Sequence, residues 1–148
     1  MMDAKIIGML GAGLVMGIAA AGSAIGIGIA GTAAIGAAKR CLKANKPAPM
    51  MLLALSSFPL SQTLYGFVLM LQMLGVTVTP DNAGQMLGFG IAGGFAIAFS
   101  AIGQGKGAAA ACDALTDTGK GLAFYIGILG IVESIALFAM VFTMMNLG

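Results

Sequence analysis

Four apolar runs, each longer than a bilayer is thick, limit what this chain can fold into. They extend from about Ile6 to Ala38, Met50 to Val76, Ala83 to Ala111 and Gly121 to Leu147. About 20 apolar residues suffice for a helix to cross hydrocarbon, where every backbone N–H and C=O must find its partner inside the protein. Transmembrane strands would be about 9–11 residues long with strict alternation, a pattern none of the runs shows. Only 8% of the residues are charged, against about 25% in soluble domains. The 24 glycines follow no three-residue period and only 4 prolines occur, which excludes collagen-like and disordered chains. The fold class is an all-α membrane protein of four transmembrane helices. The first and third runs are long enough for their ends to project beyond the hydrocarbon.

The connections are short and leave no room for a soluble catalytic unit. They are Lys39 to Pro49, Thr77 to Asn82 and Cys112 to Lys120. Pro47 and Pro49 suit a helix start; Pro80, Asp81 and Asn82 suit a turn and N-cap. Lys39, Arg40, Lys43 and Lys46 fall in the first connection, Lys106 and Lys120 flank the third, and the second has none. The positive-inside rule then makes residues 39–49 and 112–120 cytoplasmic, with both termini outside. The net charge of +2 is thus a topology signal, and no soluble face is left to present to nucleic acid. Ala19 to Ala24 resembles a signal-peptide cleavage site, but the n-region is nearly neutral and the apolar run continues to Ala38. It therefore reads as a retained span. Cys41 and Cys112 fall at cytoplasmic helix ends, where thiols stay reduced, and without any histidine no metal spacing exists.

The chain reads as one membrane domain, 1–148, made of two tandem hairpin repeats, 1–78 and 79–148. SAIGIGIAG (Ser23 to Gly31) recurs as SAIGQGKGA (Ser100 to Ala108), and LSQTLYGFVLM (Leu60 to Met70) aligns with IVESIALFAMV (Ile131 to Val141). Gln62 then stands opposite Glu133, and Ile27 opposite Gln104, so one half alone holds an ionisable site. Gly22 and Gly26, Gly84 and Gly88, Gly90 and Gly94, and Gly103 and Gly107 are small-xxx-small pairs. Lipid supplies no hydrophobic drive between helices, so close backbone contact must supply the association. Such spacing fits a crowded inner ring of first and third helices, with the bulkier second and fourth outside; generic transmembrane packing has the same signature.

Glu133 is the only glutamate, and it falls in the middle of the fourth run, about 18 Å from either end. An acidic side chain there costs roughly 2.5–3.5 kcal/mol on insertion scales, and hydrocarbon favours its neutral form unless a cation stands beside it. No Lys or Arg is expected at its depth, since Lys106 lies toward the cytoplasmic end. An ion or proton site is the reading this leaves. The second run should supply neighbours. Pro59 cannot donate to the Leu55 carbonyl, which loosens that turn, and Ser61, Gln62 and Tyr65 follow it. Gln104 of the third run joins them. Ser and Gln in lipid also serve as interhelical glue. Taken together, a carboxylate, two amide oxygens, a hydroxyl and a freed carbonyl form the oxygen set that hard cations prefer. A site built only for H⁺ needs less, so the extra oxygens favour Na⁺.

Pro-x-x-Gln-x-Leu-Tyr-Gly (Pro59 to Gly66), Ile-x-Gln-Gly (Ile102 to Gly105) and the glutamate of the fourth helix resemble the rotor-ring proteolipid of V-type ATPases. The duplicated, four-helix, bacterial sodium-pumping kind is the nearest pattern, and the resemblance covers essentially the whole chain. It implies a ring of identical copies in the cell membrane, each carrying one Na⁺ on Glu133, with a proton-carrying version as the alternative. The other ligands would be the side chains of Ser61, Gln62 and Gln104 and the backbone carbonyl of Phe58, with Tyr65 hydrogen-bonding the glutamate. Ser61 stands where the family pattern has Thr, and Phe58 where it has a Leu-like residue. A stator subunit would face Glu133 with an Arg, and central-stalk subunits would couple the ring to ATP hydrolysis elsewhere, since this chain has no nucleotide-binding pattern. One carboxylate per four helices means fewer ions per turn, which favours steep uphill pumping. A structural ring or pore without transport is the competing class. A small-solute transporter would need the broken helices and binding pocket that are not evident here.

Overall fold

A computed structural model describes residues 3–147; residues 1, 2 and 148, the extreme ends of the two expected repeats, lie outside it. Its helices are α1 (Ala4–Lys43), α2 (Met51–Ser57), α3 (Ser61–Gly75), α4 (Ala83–Thr118) and α5 (Leu122–Met145). Four spans are long and apolar enough to cross a membrane: α1, α2 and α3 together (Met51–Gly75), α4 and α5. No strand occurs among the described residues.

Both long helices outrun their apolar stretches. The first run ends near Ala38, yet α1 continues to Lys43; the third ends near Ala111, yet α4 continues to Thr118. The change in hydropathy marks the edge of the lipid; past it α1 continues through the good helix formers Lys39, Arg40, Leu42 and Lys43, and α4 continues alongside it. Arg40 and Lys43 also suit the negative end of the α1 dipole. Asp113 and Asp117, loop residues by the sequence reading, sit on this last part of α4 and pair with Arg40 of α1. The third connection shrinks to Gly119, Lys120 and Gly121. Gly119 (φ 65°) and Gly121 (φ 87°) adopt the left-handed conformation that lets α4 end and α5 begin at once. At the opposite end the Asn82 side chain turns back to accept from the Thr79 N–H at 2.8 Å, and makes no cap bond to α4.

The expected single second helix is broken at Pro59. Residues Phe58–Leu60 form a 3₁₀ turn between α2 and α3. The Phe58 N–H bonds the Leu55 carbonyl, so the oxygen that Pro59 leaves without its usual donor is satisfied from one residue earlier. That corrects the expectation of a free carbonyl at Leu55.

α1 and α4 run side by side in the same direction, because each begins where its hairpin begins. Their backbones touch. A Cβ placed on Gly90 would lie 2.0 Å from the Gly11 carbonyl oxygen, and one on Gly105 would lie 2.3 Å from that of Gly26. Of the small-residue pairs, Gly22 with Gly26 and Gly90 with Gly94 line this seam. Gly103 and Gly107 face Val132 and Leu129 of α5, and Gly84 and Gly88 meet nothing within 4 Å among the described residues. α3 and α5 cover one side of the α1–α4 pair, and α5 buries only Leu129 and Ala136.

Candidate ion site

The site forms where α3, α4 and α5 meet. α5 runs antiparallel to α4, and Glu133 falls 11 residues from its start, which is about 17 Å of helical rise. Tyr65 donates its hydroxyl to Glu133 Oε1 at 2.6 Å, and Gln104 Nε2 lies 3.4 Å from Glu133 Oε2. Both contacts are donated to Glu133, the polarity a carboxylate accepts. Behind them, Gln62 Nε2 donates to Gln104 Oε1 at 2.8 Å, and the Ser61 hydroxyl reaches Gln62 Oε1 (3.3 Å) and the Phe58 carbonyl (3.1 Å). Gln62 and Gln104 are fully buried, as is Pro59, whereas Glu133, Tyr65, Ser61 and Phe58 are half-buried.

Local sequence explains the convergence. The 3₁₀ turn at Pro59 sets the start of α3, and from there Ser61, Gln62 and Tyr65 project from its first turns. Gly66 lets α3 press on α1, since a Cβ there would sit 2.5 Å from that of Ala19. Gln104 is fixed by a second bond from its Nε2 to the Leu129 carbonyl at 3.0 Å, which ties the level of α4 to that of α5. A buried amide leaves little slack, because each unpaired polar atom in hydrocarbon costs several kcal/mol.

Chemically, the group holds one negative charge and four side-chain or backbone oxygens that belong to hydroxyl, amide and carbonyl groups. In this arrangement the amide oxygens accept from their neighbours, and the Phe58 carbonyl is engaged by Ser61. Of the two amides only Gln104 reaches the carboxylate, and turning it about its last torsion, which is broad and roughly two-fold, exchanges that donor for an acceptor.

Sequence reasoning missed Ser100. Its hydroxyl donates to the Val132 carbonyl at 2.8 Å, directly before Glu133, and so anchors that turn of α5 to α4. The signal was present, since Ser100 opens the repeated SAIG. Its repeat mate Ser23 is equally buried but has no hydrogen-bond partner among the described residues. Lys106 lies two positions beyond Gln104 toward the α4 C-terminus, about 3 Å of rise; it is exposed and makes no ion pair among the described residues. Spaced about 200° from Gln104 around the helix, it points away from Glu133.

The sequence profile of the ATP synthase C subunit matches residues 10–73 and again residues 87–145. The chain belongs to the ATP synthase C-subunit family. Among curated proteins no match is found. Membership of this family makes the chain a non-catalytic, ring-forming proteolipid of a rotary ATP synthase or ATPase, with hydrolysis on other subunits. It is a multi-pass membrane protein. Two matches in one chain also fit a duplicated hairpin, with the one glutamate in the second copy.

Removing the phenol tests the geometry. Tyr65→Phe is expected to weaken cation affinity at Glu133 about tenfold, because a hydrogen bond to a charged group is worth roughly 1.5–3 kcal/mol. The cation concentration that half-protects Glu133 from carbodiimide measures this, and an unchanged value would separate Tyr65 from the site.

Proposed function

We propose that this protein transports Na⁺ in the rotor ring of a V-type ATPase, one ion per copy on Glu133. The observation that carries this reading is the hydrogen-bonded set within the membrane spans in which Tyr65 and Gln104 meet Glu133, with Gln62 and Ser61 behind Gln104. A monovalent cation cancels that charge, and oxygens of the Gln62 and Gln104 amides, the Ser61 hydroxyl and the Phe58 carbonyl are of the hard type that Na⁺ prefers. Tyr65 holds the carboxylate from the other side.

The physics of rotation follows from charge. With the ion bound, the Glu133 face is neutral and passes lipid without the insertion penalty of an ionised acid. An Arg on the stator displaces the ion where the ring meets it, and the next copy follows. Each elementary charge moved against 100 mV requires about 2.3 kcal/mol, supplied by ATP hydrolysis on other subunits through the central stalk. One site per duplicated hairpin moves fewer ions per turn than one per hairpin, which suits steep uphill pumping. Lys39, Arg40, Lys43 and Lys46 of the first connection, with Lys106 and Lys120 flanking the third, support a cytoplasmic side for residues 39–49 and 112–120 and termini outside the cell membrane.

Binding of ²²Na⁺ to purified rings across pH tests the ion. H⁺ and Na⁺ compete for one carboxylate, so less Na⁺ should saturate the ring as pH rises, up to a plateau once the competing proton is gone. A second reading, H⁺ in place of Na⁺, draws on the closed network, in which protein groups alone satisfy both amides. Under it, Na⁺ would give no protection from carbodiimide at any pH.

A further inference from the structure

Among the described residues, only Ser23 of α1 buries a side-chain polar atom that has no hydrogen-bond partner, and just 2% of the residue is exposed. Two close approaches fix what it faces. A Cβ on Gly66 of α3 would lie 2.5 Å from that of Ala19, and a Cβ on Gly26 would lie 2.9 Å from that of Pro59. α1 and α3 run antiparallel. Ser23 stands four residues after Ala19 and three before Gly26, and Gln62 four before Gly66 and three after Pro59. The two side chains are therefore level. The same spacings keep Ala19, Ser23 and Gly26 on one face of α1, and Pro59, Gln62 and Gly66 on the facing side of the second span.

Gln62 is fully buried, and its amide nitrogen carries two hydrogens. One goes to Gln104 Oε1 at 2.8 Å, and the other meets no acceptor among the described residues. A spare donor and a spare acceptor thus share one level of the α1–α3 contact. The repeat mate of Ser23 has no such freedom, since Ser100 ties its hydroxyl to the Val132 carbonyl at 2.8 Å.

A cation changes what Gln62 needs. An amide whose oxygen contacts an ion carries its NH₂ group on the far side of the same carbon, and an NH₂ group without an acceptor is strongly disfavoured in hydrocarbon. Resting on the reading of Glu133 as a Na⁺ site, we propose that Ser23 Oγ accepts from Gln62 Nε2 in the loaded state and so holds Gln62 Oε1 on the ion. The Ser23 hydrogen then turns to a carbonyl one turn back on α1, as the Thr32 hydroxyl does at Gly28, 2.8 Å away. Ser23 is a positioning residue, since it acts through Gln62 and touches neither the ion nor Glu133. It brings α1, which supplies no ligand, into setting the cation affinity of the site.

The test compares Ser23→Ala with wild type in purified rings. Removing a hydroxyl that has no partner in the ion-free site should leave ring assembly unchanged, and likewise the carbodiimide labelling of Glu133 without Na⁺, followed across pH. The Na⁺ concentration that half-protects Glu133 should rise about tenfold, as expected when a buried donor loses its acceptor. In Gln62→Ala rings, which have no amide to hold, adding Ser23→Ala should raise it no further. An unchanged half-protecting concentration, an equal rise in the Gln62→Ala background, or an ion-free labelling profile that shifts as well overturns the role of Ser23 and leaves the Na⁺ reading standing. Wild-type rings that Na⁺ fails to protect at any pH overturn both.

Discussion

Glu133→Gln is expected to reduce ATP-driven ion uptake to background while rings still assemble. The change keeps shape and hydrogen-bonding capacity but removes the one negative charge in the membrane spans. Tyr65 and Gln104 still find an oxygen at that position, so packing of α3, α4 and α5 persists. What disappears is the switch between a charged, ion-accepting state and a neutral one that enters lipid. Without the charge, neither a cation nor a stator Arg has anything to bind. Uptake into vesicles measures the first half of this result and the size of the detergent-solubilised ring the second. Uptake near the wild-type rate would remove Glu133 from the mechanism and leave the pore reading standing.

The second large effect concerns the seam rather than the site. Gly90→Leu should abolish ring formation, because even the first added carbon would lie 2.0 Å from the Gly11 carbonyl oxygen. A backbone oxygen cannot rotate aside as a flexible side chain does, so α1 and α4 must separate by more than about 1 Å. Dispersion contacts weaken steeply over such a gap, and in lipid those contacts are the main attraction between helices. Overpacking by single methylenes in cores costs typically about 1–3 kcal/mol; a clash with backbone sits at or above that range. Gly127→Ala on α5, where a Cβ meets nothing within 4 Å, should leave the ring intact and marginally favour its helix. Native gel electrophoresis of the two variants distinguishes a seam effect from a general intolerance of larger residues. Assembly of Gly90→Leu rings at the wild-type level would mean that the α1–α4 contact does not hold the protomer together.

The candidate site was legible because chemistry in a membrane is sparse. A single glutamate among apolar residues needs partners, and the second and third runs offer Ser61, Gln62, Tyr65 and Gln104. The structure brings Tyr65 and Gln104 onto the carboxylate and Gln62 and Ser61 behind them. The Phe58 carbonyl faces Ser61, and no bond joins it to Glu133. Ser100 escaped notice because a serine in a Gly/Ala-rich helix gives no sign of which neighbour its hydroxyl will meet.

Sequence by itself determined the number of spans, their duplication and the position of the one glutamate, because hydrocarbon imposes length and polarity one segment at a time. Tertiary structure decided where helices end beyond the lipid, which carbonyl Pro59 leaves to others, and which glycines meet backbone rather than open space. It also put Lys106 on the face opposite Glu133. Those outcomes depend on the register between helices, and register is set by contacts between residues tens of positions apart, which no local pattern encodes.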